Sequence, residues 1–431
     1  MAPPVEASTE GVELTQAAEQ TKAAPRLPQA SPNIPQATPA QTPSTAPTNS
    51  PFSCNPFSCA QNGCSTRYWV NAEYLNWWFK NSPIDVPLAT TGPLGPGGTP
   101  FGIIPNVPGA IGTPGTQVLL GNQNFGTSNH AGIRLTFGTW LDPDQSRGVE
   151  VSYFLVADRN NTQIVGNTGA LLTVPFLDVG PIKGQNTLIL AAPGNPAFAN
   201  GSAILGVTNH LQGEELNGIF NLSRTDTARV DLLVGARLLQ FREALTFGAN
   251  SVGTAPLGID NASDSFVGNN NFYGGQLGLR AEFVRGPYFF GITEKFALGG
   301  LQEQMSVSGS TVTNFNPISA GSVQAFPGGV FAQPTNIGDH SRGRFTFANE
   351  VIATAGYQMN DWARVFISYD FIFLNNVARP GQQLNRSIND SQFAATIPPP
   401  GGLVGPASPA FSFRDSSFWA QGFNVGLSFR Y

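Results

Sequence analysis

The sequence predicts an all-β protein, a closed antiparallel up-and-down transmembrane β-barrel of about ten strands, preceded by a disordered tail. Three observations carry that prediction. The first is composition. Of 431 residues, 11% are charged and another 11% are aromatic, with 32 Phe, whereas ordinary soluble proteins carry roughly 25% charged residues. Mean hydropathy is near zero, and no run of roughly 18 or more apolar residues writes a transmembrane helix. The second is a series of long segments with period-two patterning. Each exceeds the roughly 5–6 residues usual in a soluble sheet and meets the roughly 9–11 that a tilted membrane strand needs. The third is the links between them, which alternate short and long as turns and loops do in outer-membrane barrels. The net charge of −5, with no basic block, argues against nucleic acid as a partner.

Residues 1–66 come first and are rich in Pro, Ala, Gln and Thr, as in PRLPQASPNIPQATPAQTPSTAPTNSP. Such a stretch buries too little apolar surface to offset its ordering entropy, so a disordered or polyproline-like tail is expected. It holds Cys54, Cys59 and Cys64. A zinc site normally takes four ligands and no His is nearby, so a disulfide with one free thiol, or solvated thiols, is expected. No metal or cofactor is expected. A charged region followed by an apolar stretch is not visible, so the sequence does not display an export signal.

The alternating segments begin with YWVNAEYLNWWF (68–79), GIRLTFGTW (132–140) and GVEVSYFLVADR (148–159). A less regular one over 205–222 ends in LNGIFNL, and RVDLLVGARLLQF (229–241) and FYGGQLGLRAEFV (272–284) follow. The rest are YFFGITEKFALGG (288–300), RFTFANEVIATAGYQ (344–358), WARVFISYDFIFL (362–374) and the terminal SSFWAQGFNVGLSFRY. The barrel domain is thus placed at 67–431, with long extracellular loops at 80–131, 160–204, 242–271, 301–343 and 375–416. The loops, rich in Gly, Pro and Asn, are expected to fold over the mouth and to provide partner specificity. Apolar stretches at 171–179 and 187–192 leave twelve strands as an alternative. GGQLG at 274–278 reads as room for a neighbouring interior side chain.

Pointing the more apolar parity of each segment at lipid sorts the side chains. Tyr68, Tyr288, Tyr357 and Tyr431 then lie outward at the short-turn end, and Trp78, Tyr273, Phe345, Phe373 and Trp419 outward at the long-loop end. These are the two aromatic girdles expected at the water–lipid interfaces. The other parity carries Glu73, Arg134, Glu150, Asp231, Arg237, Arg280, Glu282, Lys295, Glu350, Arg364, Asp370 and Arg430 into the lumen. Either they pair into a network that fills the interior, or they line a solute path of weak selectivity. Barrels of about 8 strands enclose only side chains and open channels appear near 16–18, so ten favours the filled interior. Glu294 falls on the lipid-facing parity, a position suited to a bulge or a subunit contact.

In order along the chain, NAEYLNWWFKNSPIDVPLATTG, GIRLTFGTWLD, GVEVSYFLVADR, FYGGQLGLRAEF, NVARPGQQLNR and SSFWAQGFNVGLSFRY resemble the putative β-barrel porin-7 family. The resemblance covers Tyr68 to Tyr431. It implies an outer-membrane location, membrane lipid as a partner, and a pore for small solutes, and it supplies no catalytic residues. The terminal aromatic strand also resembles the signal that barrel-assembly machinery recognises. The expected function is a narrow passive pore or a structural surface protein, with a closed barrel acting in adhesion or as a scaffold as an alternative. Two further classes remain. A hydrolase could use His130, His210 or His340 at the loop end, with Asp339 or Asp158 orienting the base. A soluble secreted β-sandwich would place the aromatics in a globular core.

Overall fold

The computed structural model describes residues 67–95, 98, 106–126, 129–166, 169–253, 259–314, 322–393 and 403–431. The tail expected over 1–66, with its three cysteines, lies outside them. Along the chain, β1 (Tyr68–Phe79) enters a wall, and β2 (Ser82–Thr91) and β3 (Gln117–Phe125) leave it for a second sheet. β4 (His130–Trp140) and β5 (Arg147–Gly166) return to the wall, and β6 (Leu172–Asp178) and β7 (Gly184–Ala191) form a hairpin in the second sheet. Four tall wall strands follow: β8 (Asn200–Arg224), β9 (Ala228–Val252), β10 (Ile259–Arg285) and β11 (Tyr288–Thr313). After the short β12 (Gln324–Pro327), β13 (Gly338–Gln358) and β14 (Ala363–Ala378) complete most of the ring. A single helical turn α1 (Pro380–Gln383), β15 (Ser387–Ile388) and the closing β16 (Asp415–Arg430) end the chain.

The wall runs β1-β4-β5-β8-β9-β10-β11-β13-β14-β16, antiparallel throughout, and β16 pairs β1 from Trp69↔Arg430 to Phe79↔Ala420. Every wall strand therefore has two neighbours, which removes the exposed edge that an open sheet would offer to another chain. The Tyr68 N–H donates to the Tyr431 carbonyl at 3.0 Å, so the last residue is a structural member of the ring. The wall strands thus number ten. The stretches that would have raised the count to twelve pair instead with each other as β6–β7, in a sheet ordered β15-β6-β2-β3. The reason is visible in β6: Leu172, Thr173, Val174, Pro175 and Phe176 are buried in succession, so neither face is available to lipid.

The tall strands overrun the boundaries expected from alternation. Residues 242–252, 259–271, 301–313 and 338–343, expected as loop, continue the wall. Twenty-seven residues of β10 at ~3.4 Å each and a tilt of ~40° climb about 70 Å, against an apolar band of ~25 Å. Polarity inverts along the way. On β10 the outward residues include Phe283, Leu279, Leu277 and Tyr273, then Asn271, Asn269, Ser265 and Ser263; the inward ones include Glu282, Arg280 and Gln276, then Phe272, Phe266 and Ala262, with Asn270 and Asp264 as buried polar exceptions. Below the crossover the outer solvent is hydrocarbon; above it the outer solvent is water.

Above the crossover the apolar inner face is covered. Leu205, Val207, Leu245, Phe247, Phe266 and Met305 of the wall pack against Ile84, Leu88 and Leu120 of β2–β3, Val174 and Phe176 of β6, and Phe331. This half of the molecule is built like a soluble sandwich, with one of its two layers continuous with the membrane wall.

The lipid-facing assignment makes a sharp expectation. Val425 is exposed on the outer wall midway between Trp419 and Tyr431. Val425→Arg should destabilise the protein folded in vesicles by about 2–4 kcal/mol. Ser263→Arg, outward on the extension, should change it by no more than ~0.5 kcal/mol. Urea-dependent folding into lipid vesicles measures both, and equal effects would remove the bilayer from that surface.

Candidate functional site

The interior at membrane depth is built on cross-strand neighbours. Lys295 stands opposite Glu350, Glu215 opposite Arg237, Asp231 opposite Arg280, and Glu73 opposite Arg134. From these ladder positions the side chains reach across the lumen. Glu350 is fully buried and accepts from Arg134 Nη2 at 2.9 Å, Arg237 Nη1 at 2.8 Å and Lys295 Nζ at 3.1 Å. Arg134 also holds Asp370 at 2.5 Å, and Lys295 holds Glu215 at 2.7 Å. Gln276 donates to Glu215 and to Asn217, and Asn424 donates to Ser368 and Asp370. A carboxylate without water needs such donors on every lone pair it presents.

Nearer the short-turn end the network loosens. Arg280 forks onto Glu150 with contacts of 3.1 and 2.6 Å, and the Trp69 indole N–H donates to the same carboxylate at 3.2 Å. Glu282 receives Arg364 at 2.9 Å and lies 3.9 Å from Arg430, while Asp231 pairs with Arg229. Glu73 accepts from Asn424 at 3.2 Å. A polar cavity of about 210 Å³ lies among these groups, lined by Trp69, Glu150, Arg280 and Arg430 among others. Two glycines give way to this packing. A Cβ on Gly138 would strike the Trp69 indole, and one on Gly278 would meet Lys295 Cγ at 3.2 Å. Within GGQLG, Gly278 thus provides the room expected there.

Of the charged residues expected in the lumen, Arg134, Arg237, Lys295, Glu350 and Asp370 come together in one cluster with Glu215, and Glu150, Arg280, Glu282, Arg364 and Arg430 meet nearer the short-turn end. The outward aromatics also keep their levels. Tyr288 faces Tyr357 with rings 5.5 Å apart at the short-turn end, and Phe373 stands opposite Trp419 at the other. Tyr68, Trp78, Tyr273, Phe345 and Tyr431 are likewise exposed on the outer wall.

Above the charges lies an apolar layer contributed by nearly every wall strand, including Trp77, Phe79, Phe154, Leu239, Phe241, Phe272 and Phe418. Phe241 and Phe418, on opposite sides of the ring, stack with centroids 3.8 Å apart. Arg134 sits over Trp77 and Phe154 at 5.6 and 5.3 Å, joining the two layers through cation–π contacts. Higher still, Arg379 and Glu243, both fully buried, pair at 2.7 and 2.9 Å. Arg379 also donates to the carbonyls of Asn81 and Lys80, so it ties the segment before α1 to the start of β2.

The family comparison is decisive at this point: a model described as Putative beta barrel porin-7 matches residues 69–431. The chain belongs to this porin family. It is an outer-membrane β-barrel protein. Comparison with curated proteins finds no match. Among solved structures, the outer membrane protease OmpT from Escherichia coli shares 11% identity, with 85% of this chain and 98% of that chain covered and a TM-score of 0.43. A Pseudomonas aeruginosa FadL homologue shares 9% over 87% and 94% at a TM-score of 0.21. The P. putida toluene transporter TodX shares 8% over 87% and 92% at 0.19. At these scores the structural likenesses carry no inference about what this porin-family chain does.

Of the two carboxylates expected to orient a histidine, Asp339 does not meet His340, whereas Asp158 does meet His210. The His340 Nε2–H donates to the Asn336 carbonyl at 3.1 Å and the ring stacks on Phe411, while Asp339 accepts from Ser306 on the opposite face. Consecutive strand residues point to opposite sides, which separates the two. His130 is buried against Phe79. His210 does meet Asp158, at 2.6 Å.

Several interior groups escaped the sequence reading. Glu215 lies in GEELNG, where the alternation is irregular, and parity with the outward Leu216 was the available signal. Arg229 shares the parity of Asp231 and was readable from it. Arg379, Glu243 and Asp264 lay in stretches read as loop. Asp264 is buried in the extension, where its carboxylate accepts from the backbone N–H groups of Val330, Phe331 and Ala332. Burial pushes this carboxyl up to about 7, against the pull of those three donors.

Two outcomes follow. Glu350→Ala leaves three cations without their shared counter-charge and should destabilise the barrel by about 3–5 kcal/mol; adding Lys295→Met should recover part of that loss in the same urea titration. For Asp264, the folded state binds the proton more tightly than the unfolded chain, whose ordinary value is 3.8. Its contribution is therefore complete below about 3.8, declines as pH rises, and is gone above about 7. Hydrogen-exchange protection of residues 328–336, corrected for intrinsic rates, should fall across that window, and Asp264→Asn should abolish the trend.

Proposed function

We propose that the barrel is sealed at rest and serves as a structural element of the cell surface, holding a rigid β-extension and its covering sheet above the membrane. One observation carries this reading: the Phe241–Phe418 stack crosses the ring, with paired charges beneath it and a packed core above it. A solute path through the described interior would have to part all three layers. Ten strands also enclose little more than side chains.

The second reading is a narrow passive pore for small solutes, and the cavity at the short-turn end favours it because water already has room there. In that case the apolar layer is the gate, since a constriction lined by aromatics opposes ions through dewetting. A hydrolytic role is not part of the proposal: His130 and His340 are engaged in stacking and in contacts to backbone carbonyls that hold neighbouring segments. The alternating aromatic strand β16, which closes the ring, supports recognition by barrel-assembly machinery during insertion.

Planar-bilayer recording separates the readings. The refolded protein should be silent at both polarities, and Phe241→Ala with Phe418→Ala should introduce resolvable current steps while the protein keeps its heat-modifiable gel migration. Steady, well-resolved conductance of the unaltered chain would replace the surface role with the pore.

A further inference from the structure

The charges inside the described part of the membrane-spanning ring balance overall but not level by level. In the deep cluster Arg134, Arg237 and Lys295 stand against Glu73, Glu215, Glu350 and Asp370, three cations to four carboxylates. At the short-turn end Arg229, Arg280, Arg364 and Arg430 stand against Glu150, Asp231 and Glu282, four cations to three carboxylates. The surplus cation can be named. Each of the other six has a carboxylate oxygen 2.5–2.9 Å away. Arg430 is 3.9 Å from its nearest, on Glu282, which Arg364 already holds. The deep surplus does not cancel this charge. Glu73 pairs in register with Gly426, four residues along β16 from Arg430, which is about 14 Å at ~3.4 Å per residue.

The side chains of Arg430 and Arg280 are each 28% exposed. Both line the polar cavity, which reaches Gln145 in the β4–β5 turn. Beside them Arg364 is buried, and its Nη2 lacks an acceptor. Guanidinium donors thus outnumber the acceptors offered to them at this level.

We infer that the cavity binds a small monovalent carboxylate at the short-turn mouth, held by Arg430 with Arg280 alongside. Arg430 presents a planar fork of N–H donors, which two oxygens of one carboxylate match and a spherical halide does not. Arg280 has both terminal nitrogens on Glu150 and adds its charge rather than a second fork. Ser428, two residues above Arg430 on the inward face and opposite Arg364, adds a hydroxyl donor. The same arrangement limits the ligand. With a single surplus cation and Glu282 beside it, a second negative charge on the ligand would be repelled, so sulfate fits poorly. Trp69, Phe289 and Phe366 line the cavity as well, so a short hydrocarbon part has apolar surface to meet. About 210 Å³ is room for several water molecules or for a ligand of a few heavy atoms. Entry is from the short-turn side, because the Phe241–Phe418 layer lies across the ring above. The inference uses the cavity alone and holds whether or not that layer ever opens.

The probe is propionate, and the readout is saturation-transfer NMR on the refolded whole chain in a deuterated neutral detergent. Binding should saturate, and acetate should displace the probe while sulfate at equal ionic strength should not. Arg430→Gln should weaken binding by about tenfold or more, the effect of losing one charge-assisted contact. Arg147→Gln, exposed at the start of β5, should leave it unchanged. Arg430→Lys keeps the charge without the fork and should fall between them, so it carries the test if Arg430→Gln loses the heat-modifiable migration of the folded barrel. A signal that never saturates, displacement by sulfate as effective as by acetate, or unaltered binding in folded Arg430→Gln or Arg430→Lys would each overturn the inference.

Discussion

Between the two aromatic girdles one face of every wall strand is solvated by hydrocarbon, and the rest of the architecture follows from where that leaves the charges. They must turn inward, yet a ring of ten strands holds too little water to hydrate them. Each is therefore met by an opposite charge or an amide, and the partners come from distant strands: Arg134 on β4 reaches β13 and β14, and Arg237 on β9 reaches β13. Such pairs contribute little net stability, because desolvation offsets their attraction. What they supply is selectivity of arrangement. A slip of β13 by a single residue would turn Glu350 toward lipid and strip it of its three donors.

The same strands then pass from one outer solvent to another without changing their phase. At Tyr273 on β10 and Leu238 on β9 the outward face stops being apolar, and Asn271 and Gln240 follow in register. The inward face makes the opposite change, from Gln276 and Arg237 to Phe272 and Leu239. An apolar interior is admissible there because the loop-borne sheet covers it, which is why β2, β3 and β6 belong to the fold as much as the wall does. The buried Arg379–Glu243 pair lies where the two regimes meet and anchors the cover to both.

This inversion also sets what could be read from the chain. Alternation located all ten wall strands, because lipid punishes a wrong face at each position, and the same parity is what sets residues such as Arg134, Lys295 and Glu350 toward the interior contacts they make. The upper boundaries of β8 to β11 were not legible by the same logic. A rule that sends the apolar parity outward fails where water replaces lipid, so 242–252 and 301–313 looked like loop although their period of two continues. Contacts across the ring were also invisible: nothing in sequence spacing brings Phe241 to Phe418 or Arg379 to Glu243, since those meetings depend on ring size and on how the loops return. The Asp339–His340 pairing failed for a plainer reason, in that consecutive residues point apart on a strand, whereas His210 does meet Asp158 from a neighbouring strand.

The inversion explains why a chain with so much membrane-facing surface keeps a mean hydropathy near zero. A strand apolar on both faces would present a continuous greasy run, prone to aggregation before insertion and, if long enough, readable as a membrane helix. A strand polar on both faces could neither face lipid nor build a core. Holding one apolar and one polar face throughout, and exchanging their directions at the membrane surface, meets the needs of export, insertion and surface packing with one repeating pattern. On this view the charges inside the barrel are first the counterpart of the lipid outside it. Any use of them for solutes would be built on an arrangement that the outer face already requires.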